Sequence, residues 1–222
     1  MKRVYKHLKN VNFQVHNILE IYKQSTDNEI IEGKQWYKQA NQISKLMAVK
    51  YNITEIQSAG IIASLSPSIN WSQNIIDANN LCSLLQVGKD IKTITVTTYH
   101  HNKLKSHYLW QNSQLTEKEV FLIVLGCSKQ VNKTSSFFLN ILHPEIDDIC
   151  TIDRHAYRIN LGITESLDVQ LTENRYKVMN SAYKQAGKQM NISAIELQAI
   201  TWLTFRRLNN ITRNKQFEDV PF

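Results

Sequence analysis

The amino-acid sequence predicts an all-α protein. Apolar residues recur at intervals of three and four through most of the chain, which is the spacing of an amphipathic helix. Helix-capping patterns precede several of these segments: Thr116 and Ser193 are each followed by Glu three residues later, and further caps are predicted at 26–29 and 52–55. Only segment 91–98 alternates as a strand would. Because the chain offers it no partner strand, we interpret it as the start of a helix.

The predicted helices are joined by short connections. Pro67 and Pro144 end the helices before them, because a proline lacks the amide hydrogen that a further turn requires. The predicted helices span Val11 to Gln24, Glu32 to Tyr51, the cap at 52–55 to Leu65, Trp71 to Gln86, Ile91 to Trp110, the cap at Thr116 to Leu125, Lys133 to Leu142, a helix that starts at Asp153, Asn174 to Met190, and Leu197 to Leu208. We see no repeat and no linker, so residues 1–222 are interpreted as one domain.

Composition narrows the class of protein. The chain has 222 residues, a formal net charge of +7 and a pI near 9.2, a balance that favours an anionic partner such as nucleic acid. Its three cysteines form neither a disulfide framework nor a zinc pattern, and they are too few for a four-cysteine iron–sulfur loop. No signal peptide follows Met1 and no apolar run reaches about 18 residues, so we expect a cytoplasmic protein without a membrane partner.

The stretch from Leu125 to Arg158 carries the candidate chemistry. A short polar loop, 126–132, precedes the helix that begins at Lys133, and Asp153 opens the helix after it. This layout predicts two helices joined by a tight polar turn, with a carboxylate brought in on the next element. It would bring Lys133 and Asp153 together. The hairpin and this catalytic segment together occupy 116–162.

This arrangement resembles the helix-hairpin-helix DNA glycosylases, the endonuclease III-like superfamily. That family has a hairpin beginning Leu-Pro-Gly, a Lys-Thr pair that opens the next helix, and an Asp-x-His-x-x-Arg segment. The matching residues are Leu125, Gly126, Lys133, Thr134, Asp153, His155 and Arg158. The resemblance implies two packed helical lobes with the site in the cleft between them. It also implies that Asp153 is the catalytic carboxylate and that Lys133 is the nucleophile that forms a Schiff base.

Other candidate residues surround these two. The loop and the helix N-terminus after it suit a DNA phosphate, which backbone N–H groups and side-chain donors would bind. Candidates for DNA contacts are Gly126, Ser128, Lys129, Asn132, Thr134, Arg154 and Arg158, with Arg206 and Arg207 on the last helix. The turn after Leu65 looks like a variant of a turn that lines the base pocket in this superfamily. It predicts a base pocket formed by Ser66, Asn70, Trp71, Asn74 and His155.

Each candidate also has a purely structural interpretation. Asp153 would cap its helix with no function at all, and Lys133 would be an exposed helix lysine. Trp71 would fill the core at a plain corner between two helices. His100, His101 and His107 have no carboxylate at ligand spacing, so we interpret them as a polar face rather than a metal site.

Three functions remain open at this point. The first is a monomeric, cofactor-free DNA glycosylase that cleaves the N-glycosidic bond of a flipped, modified or damaged base. The second is a non-catalytic helix-hairpin-helix DNA-binding protein. The third is a glycosylase-derived enzyme of pyrimidine hypermodification in phage DNA. The richness in Asn, Lys and Ile suits an AT-rich genome, as in phages and mobile elements.

Overall fold

The computed structural model describes residues 9–128, 131–147, 149–164 and 171–211, and within them it is all-α, as predicted. The α-helices are α1 (Val11–Tyr22), α2 (Asp27–Tyr51), α3 (Glu55–Leu65), α4 (Trp71–Gln86), α5 (His100–Gln111), α6 (Glu117–Leu125), α7 (Lys133–Leu142), α8 (Arg154–Leu161), α9 (Glu173–Met190) and α10 (Ala194–Leu208). A short 3-10 helix, Ile91–Thr93, lies between α4 and α5. No strand occurs in these described ranges.

The predicted caps at Thr26, Thr116 and Ser193 are present in the structure. The Thr26 hydroxyl accepts a hydrogen bond from the backbone N–H of Glu29 at 3.3 Å, and the Glu29 carboxylate accepts one from the N–H of Thr26 at 3.0 Å. This capping box begins α2 at Asp27, so the predicted start at Glu32 was too late. The first turn of the helix is polar, which is why the apolar periodicity did not reveal it.

The predicted helix from Ile91 to Trp110 was wrong in its first half, because α5 begins only at His100. Side chains satisfy the backbone of the segment before it. The Asp77 carboxylate accepts the N–H of Thr97 at 2.6 Å, and the Lys103 ammonium donates to the carbonyls of Ile91 and Ile94 at 3.0 and 2.8 Å. The run of β-branched threonines also disfavours a helix there.

The helices pack as two groups on either side of the long helix α2. In one group α9 packs on α1 and α10, and α8 packs on the same two helices. In the other group α3 lies at the centre and contacts α4, α5, α6 and α7. Helix α2 packs against α10 on one side and against α3 and α7 on the other. Buried apolar side chains of both groups and of α2 form one continuous core.

Helices α2 and α10 approach each other very closely at Gly33. A β-carbon added to Gly33 would lie 2.7 Å from the backbone of Ile200 and 2.5 Å from its side chain. Only a glycine therefore fits at this crossing. Near the same end of α2, the buried Glu29 carboxylate forms an ion pair with Arg207 of α10 at 2.8 Å.

Membrane-spanning character is absent from the described helices. None of them is both long enough and apolar enough to cross a bilayer.

Candidate active site

A pocket of about 670 Å³ lies where the two groups of helices meet α2. This volume is within the range of small-molecule and cofactor sites in proteins. Five stretches of chain supply its walls: Trp36 and Tyr37 of α2, the turn 66–71 with the start of α4, the first two turns of α7, the segment 151–158, and one face of α10 with Ile211 after it.

Most of the residues predicted from the sequence line this one pocket. Lys133 and Asp153 are both in its wall, as the hairpin layout predicted. So are all five residues predicted for a base pocket and three of the predicted DNA contacts: Ser66, Asn70, Trp71, Asn74, His155, Arg154, Arg158 and Arg206. Residues more than 80 positions apart in the chain, such as Asn70 and Asp153, therefore share a single cavity.

The DNA contacts predicted in the hairpin lie outside the pocket lining. Gly126 ends α6 with φ 70°, and Ser128 is exposed. Asn132 caps α7, accepting the N–H of Ser135 at 3.0 Å and donating to the carbonyl of Leu125 at 3.2 Å. Thr134 is partly buried in the first turn of α7. Lys129 lies outside the described residues.

Three hydrogen bonds hold the Asp153 carboxylate. Its Oδ1 accepts the backbone N–H groups of His155 and Ala156 at 2.9 and 2.8 Å, so Asp153 is the N-cap of α8. Its Oδ2 accepts the indole N–H of Trp202 at 2.9 Å. The cap alone would need only Oδ1. The bond to Trp202 fixes the direction in which the second oxygen faces the pocket.

The backbone that leads into Asp153 is anchored by buried polar groups. The Tyr176 hydroxyl accepts the N–H of Ile152 at 3.0 Å and lies 2.6 Å from the hydroxyl of Ser136 on α7. Thr151 donates to the side-chain oxygen of Asn140 at 2.9 Å. Because these bonds tie the segment to α7 and α9, Asp153 and Lys133 are held in a fixed relation to each other.

Lys133 is the first residue of α7, and it is partly buried in the pocket wall. Within the described residues its ammonium makes no hydrogen bond and no ion pair. Burial lowers the pKa of Lys133, the nearby Asp153 charge opposes this shift, and the Arg154 charge adds to it. A larger fraction of neutral amine is the state that a nucleophilic lysine requires. The interpretation of Lys133 as an ordinary exposed helix lysine does not fit this environment.

His155 lies beside Asp153, and its surroundings lower its pKa. Burial lowers the pKa of His155; the Asp153 charge opposes that shift, whereas Arg158 and other arginines reinforce it. Its Nδ1 is buried and has no hydrogen-bond partner among the described residues. The ring packs against Phe205 and Trp202, with centroids 5.9 and 6.3 Å away.

Aromatic rings form a continuous wall of the pocket. Trp36 is in the middle, with its ring centroid 5.8 Å from that of Trp71 and 5.4 Å from that of Trp202. Phe137 extends the cluster and lies 6.1 Å from Trp71. The Arg206 guanidinium lies 4.5 Å from the centroid of the Trp202 ring, in a cation–π contact. A flat aromatic ligand suits such a wall.

Buried amides add polar groups to the apolar wall. Asn74 is buried, and its side-chain oxygen has no hydrogen-bond partner in the described part of the chain. The Tyr37 hydroxyl donates to the side-chain oxygen of Gln198 at 3.0 Å, which turns the Gln198 amide so that its N–H₂ group is left for a further partner. A buried amide oxygen without a partner is costly, so a ligand with an N–H donor fits beside Asn74.

From the α10 wall, the sequence offered Trp202 as one of several aromatic residues available to line a base pocket and Arg206 as a DNA contact, but it gave Gln198 no role. Gln198, Trp202 and Arg206 recur every four residues and therefore lie on one face of α10, beside its apolar stripe. That spacing was the available signal. Arg207 was expected to contact DNA, but its guanidinium is bound by Glu29 at 2.8 and 3.1 Å and by the carbonyl of Gln24 at 2.6 Å. Arg207 therefore links α10 to the first turn of α2 and to the segment before it.

The pocket is lined by more positively charged than negatively charged side chains. Lys133, Arg154, Arg158 and Arg206 line it, and among the lining residues Asp153 is the single carboxylate. A pocket with this balance attracts an anionic ligand while keeping one negative group inside. No group of three or more His, Cys, Asp or Glu side chains that could hold a metal ion occurs in the described residues.

Comparison with known families gives a match that covers nearly the whole chain. The model of a family of unknown function, DUF7178, matches residues 2–209. No curated protein and no solved structure matches the chain.

Proposed function

This chain belongs to the DUF7178 family of unknown function, and we propose that it is a DNA glycosylase that cleaves the N-glycosidic bond of a flipped base. The observation that carries the proposal is the position of Asp153. An oriented carboxylate, a lysine with a lowered pKa and a wall of tryptophans share one pocket. The helix-hairpin-helix glycosylase fold is part of this proposal, and it rests on the resemblance of residues 125–158.

The reaction needs a negative charge beside the sugar. As the bond between C1′ and the base nitrogen breaks, the base leaves with the electron pair and positive charge builds on the sugar. The Asp153 carboxylate stabilises that charge, and it accepts a proton from the water whose oxygen bonds to C1′. The departing base takes up a proton from solvent. When the neutral amine of Lys133 attacks C1′ instead of water, the base leaves with its electron pair and takes up a proton. The C1′–O4′ bond then opens, O4′ receives a proton from the lysine nitrogen, and the product is a covalent Schiff base with the opened sugar.

The pocket walls suit a base that has left the duplex. A flipped base is recognised by stacking on aromatic side chains and by hydrogen bonds to its edge. Trp36, Trp71 and Trp202 offer the rings, and Asn74 and Gln198 offer the amides. Every nucleobase edge carries an N–H donor for the Asn74 oxygen except that of a fully substituted base, so these contacts favour a base without selecting which one.

The cationic residues suit the phosphates on either side of the flipped nucleotide. Arg154 is exposed and Arg158 is partly buried, and both lie on α8 directly after Asp153. Arginine binds phosphate through paired N–H groups. A DNA strand held there would present one nucleotide to the pocket, next to the carboxylate.

The decisive experiment is a survey of substrates. The protein is incubated with duplex DNAs that each carry one modified, damaged or mismatched base, and the released bases are measured by mass spectrometry. Release of a free base from at least one DNA, lost in Asp153→Asn, supports the proposal. DNA binding without release from any of them would instead favour the second candidate.

That second candidate is a non-catalytic DNA-binding protein. One observation favours it: Asp153 is a complete N-cap, and capping is sufficient reason for an aspartate at this position. The hydrogen bond from Trp202 to Oδ2 distinguishes the two functions, because helix capping by Asp153 does not require it.

A further inference from the structure

We propose that Tyr99, backed by His101, is a stacking platform for the nucleotide next to the flipped one. This inference rests on the proposed function, because it takes DNA as the ligand of the pocket. It concerns a surface outside the pocket lining. It also gives a role to His101, one of the three histidines of α5 that the pocket does not use.

The two rings form an exposed, parallel pair. The centroid of the Tyr99 ring lies 5.7 Å from that of His101, with an angle of 7° between the planes, so the rings are stacked with an offset. Tyr99 is 55% exposed although it is a large aromatic residue. It precedes α5 as its N-cap residue, but its side chain makes no capping hydrogen bond. Neither packing nor capping therefore accounts for the tyrosine.

The platform is tied to the rim of the pocket. The hydroxyl of Tyr99 lies 3.0 Å from the hydroxyl of Ser68, and Ser68 is one of the pocket-lining residues. The residue before Tyr99 also contacts this turn, because the Thr98 hydroxyl donates a hydrogen bond to the carbonyl of Pro67 at 2.8 Å. Asn102 in turn donates to Thr98 at 3.0 Å. The aromatic pair is thus fixed to the turn 66–70 at the pocket mouth.

The backbone of that turn is strained at the contact point. Ser68 has φ 67°, a conformation that side chains other than glycine rarely adopt. Such strain persists where surrounding interactions hold it, and it occurs often at binding sites. Here the hydrogen bond to Tyr99 is one of those interactions. The strained turn and the aromatic pair form one unit beside the opening.

A nucleobase is the occupant that this geometry fits. Every base has a flat π-face, so stacking on a tyrosine is tolerant of sequence and strengthens the binding of unpaired nucleotides. When one nucleotide leaves the stack to enter the pocket, its neighbour loses a stacking partner. A ring at the rim replaces that partner, and His101 on the other side keeps the tyrosine ring in position.

The test measures binding to two DNAs. One is an intact duplex, and the other is the same duplex with one abasic-site analogue, where stacking beside the site is already broken. We expect Tyr99→Ala to weaken binding to the second DNA by roughly five- to a hundredfold and to leave the intact duplex unchanged. Tyr99→Phe keeps the ring and the contact of Thr98 with Pro67 but loses the hydroxyl bond to Ser68, so it should retain most of the binding. His101→Ala leaves Tyr99 unsupported and gives a smaller loss.

Tyr108→Ala is the matched control. Tyr108 is also exposed and lies on α5, roughly 13 Å further along the helix axis from Tyr99. The Tyr108→Ala variant should bind both DNAs with the same affinity as the wild type. Equal affinity of Tyr99→Ala and wild type for the abasic duplex would overturn the platform, as would an equal loss on both DNAs. Failure of the wild type to bind either DNA would instead contradict the proposed function itself.

Discussion

The indole N–H of Trp202 lies 2.9 Å from Oδ2 of Asp153 and donates a hydrogen bond to it. Trp202 is on α10 and Asp153 opens α8, so the bond joins two helices that both face the pocket. Since Oδ1 already receives two backbone N–H groups, the indole determines how the free side of the carboxylate is turned. Trp202 is thus a positioning residue for the proposed reaction, in addition to being part of the aromatic wall.

Trp202→Phe should separate these two roles. Phenylalanine keeps an aromatic ring against Trp36 and Arg206 but has no N–H, so Asp153 keeps its cap and loses its orientation. We expect kcat for base release to fall by roughly ten- to a hundredfold, with little change in KM. Trp110→Phe, which alters a tryptophan packed on Tyr51 instead, should leave kcat unchanged. An undiminished kcat in Trp202→Phe would mean that the bond has no catalytic value.

Asp153→Asn should give a folded, inactive protein. The remaining side-chain oxygen still caps α8, so the free energy of unfolding should fall by no more than about 1 kcal/mol. The change removes the carboxylate charge that would stabilise the developing cation on the sugar, and this loss costs on the order of a hundredfold or more in rate. DNA binding should persist or tighten, because a charge that repels phosphate is gone. Thermal unfolding, a binding assay and a base-release assay measure the three quantities, and near-normal release would reduce Asp153 to a cap.

Lys133 should form a covalent adduct with DNA during turnover. Borohydride reduces a Schiff base to a stable bond, so the adduct can be counted on a denaturing gel. Because burial lowers the pKa of Lys133 below the ordinary 10.5, the yield should rise with pH and reach half its maximum below that value. Lys133→Gln should abolish the adduct.

Lys105→Gln is the control for this experiment. Burial also lowers the pKa of Lys105, but that residue lies near Gly126 and outside the pocket lining. It should therefore leave the adduct intact. Base release without any adduct would assign Lys133 to positioning and water to the attack on C1′.

DNA binding should weaken steeply with salt. Binding through phosphates releases counterions, so the logarithm of the association constant falls linearly with the logarithm of salt concentration. Arg154→Ala should flatten that slope by about one unit if Arg154 neutralises one phosphate. Lys177→Ala removes an exposed cation that is paired with Glu173 at 2.6 Å, and it should leave the slope unchanged. An affinity that is flat in salt would argue against DNA as the partner.

Arg207 should affect stability and leave DNA binding alone. Arg207→Met leaves the buried Glu29 carboxylate without its cation. We expect the free energy of unfolding to fall by about 2 kcal/mol, which is less than for a fully buried ion pair because Arg207 is half-exposed to solvent. Burial raises the pKa of Glu29, but hydrogen bonds from Arg207 and Thr26 outweigh it and the net pKa is lowered. The stabilisation is therefore present above about pH 4.5 and is lost as the pH falls through the lower folded pKa. Urea titrations at pH 7 and pH 4 would measure it.

Local patterns predicted the helices well where one physical effect dominates. Capping boxes such as Thr116 with Glu119 are short-range hydrogen bonds, and the sequence shows them directly. The segment before α5 was misread because its backbone is satisfied from a distance, by Asp77 and Lys103, and no local pattern reports that. The shared pocket of Lys133 and Asp153 followed from the hairpin layout, since both are close in the chain.

The α10 wall shows what the sequence could not supply. Trp202 is 49 residues from Asp153, and nothing between them indicates that an indole would meet that carboxylate. Likewise, Arg206 and Arg207 are adjacent in the chain but make different contacts. Arg206 stacks on the Trp202 ring, whereas Arg207 forms an ion pair with Glu29. Helix rotation decides which of the two faces the pocket, and rotation depends on how α10 packs on α2.

The contact between α2 and α10 at Gly33 lies next to two walls of the pocket. Trp36 and Tyr37 follow it one turn later on α2, and Gln198 and Trp202 flank Ile200 on α10, so both pairs of walls stand close to the point where the backbones touch. Neither helix can move inward there, and the ion pair of Glu29 with Arg207 resists movement outward. The walls next to this crossing are therefore held in place from both sides. For the proposed glycosylase, we expect such a site to exclude a base that carries a bulky substituent, because the two helices cannot separate to admit it.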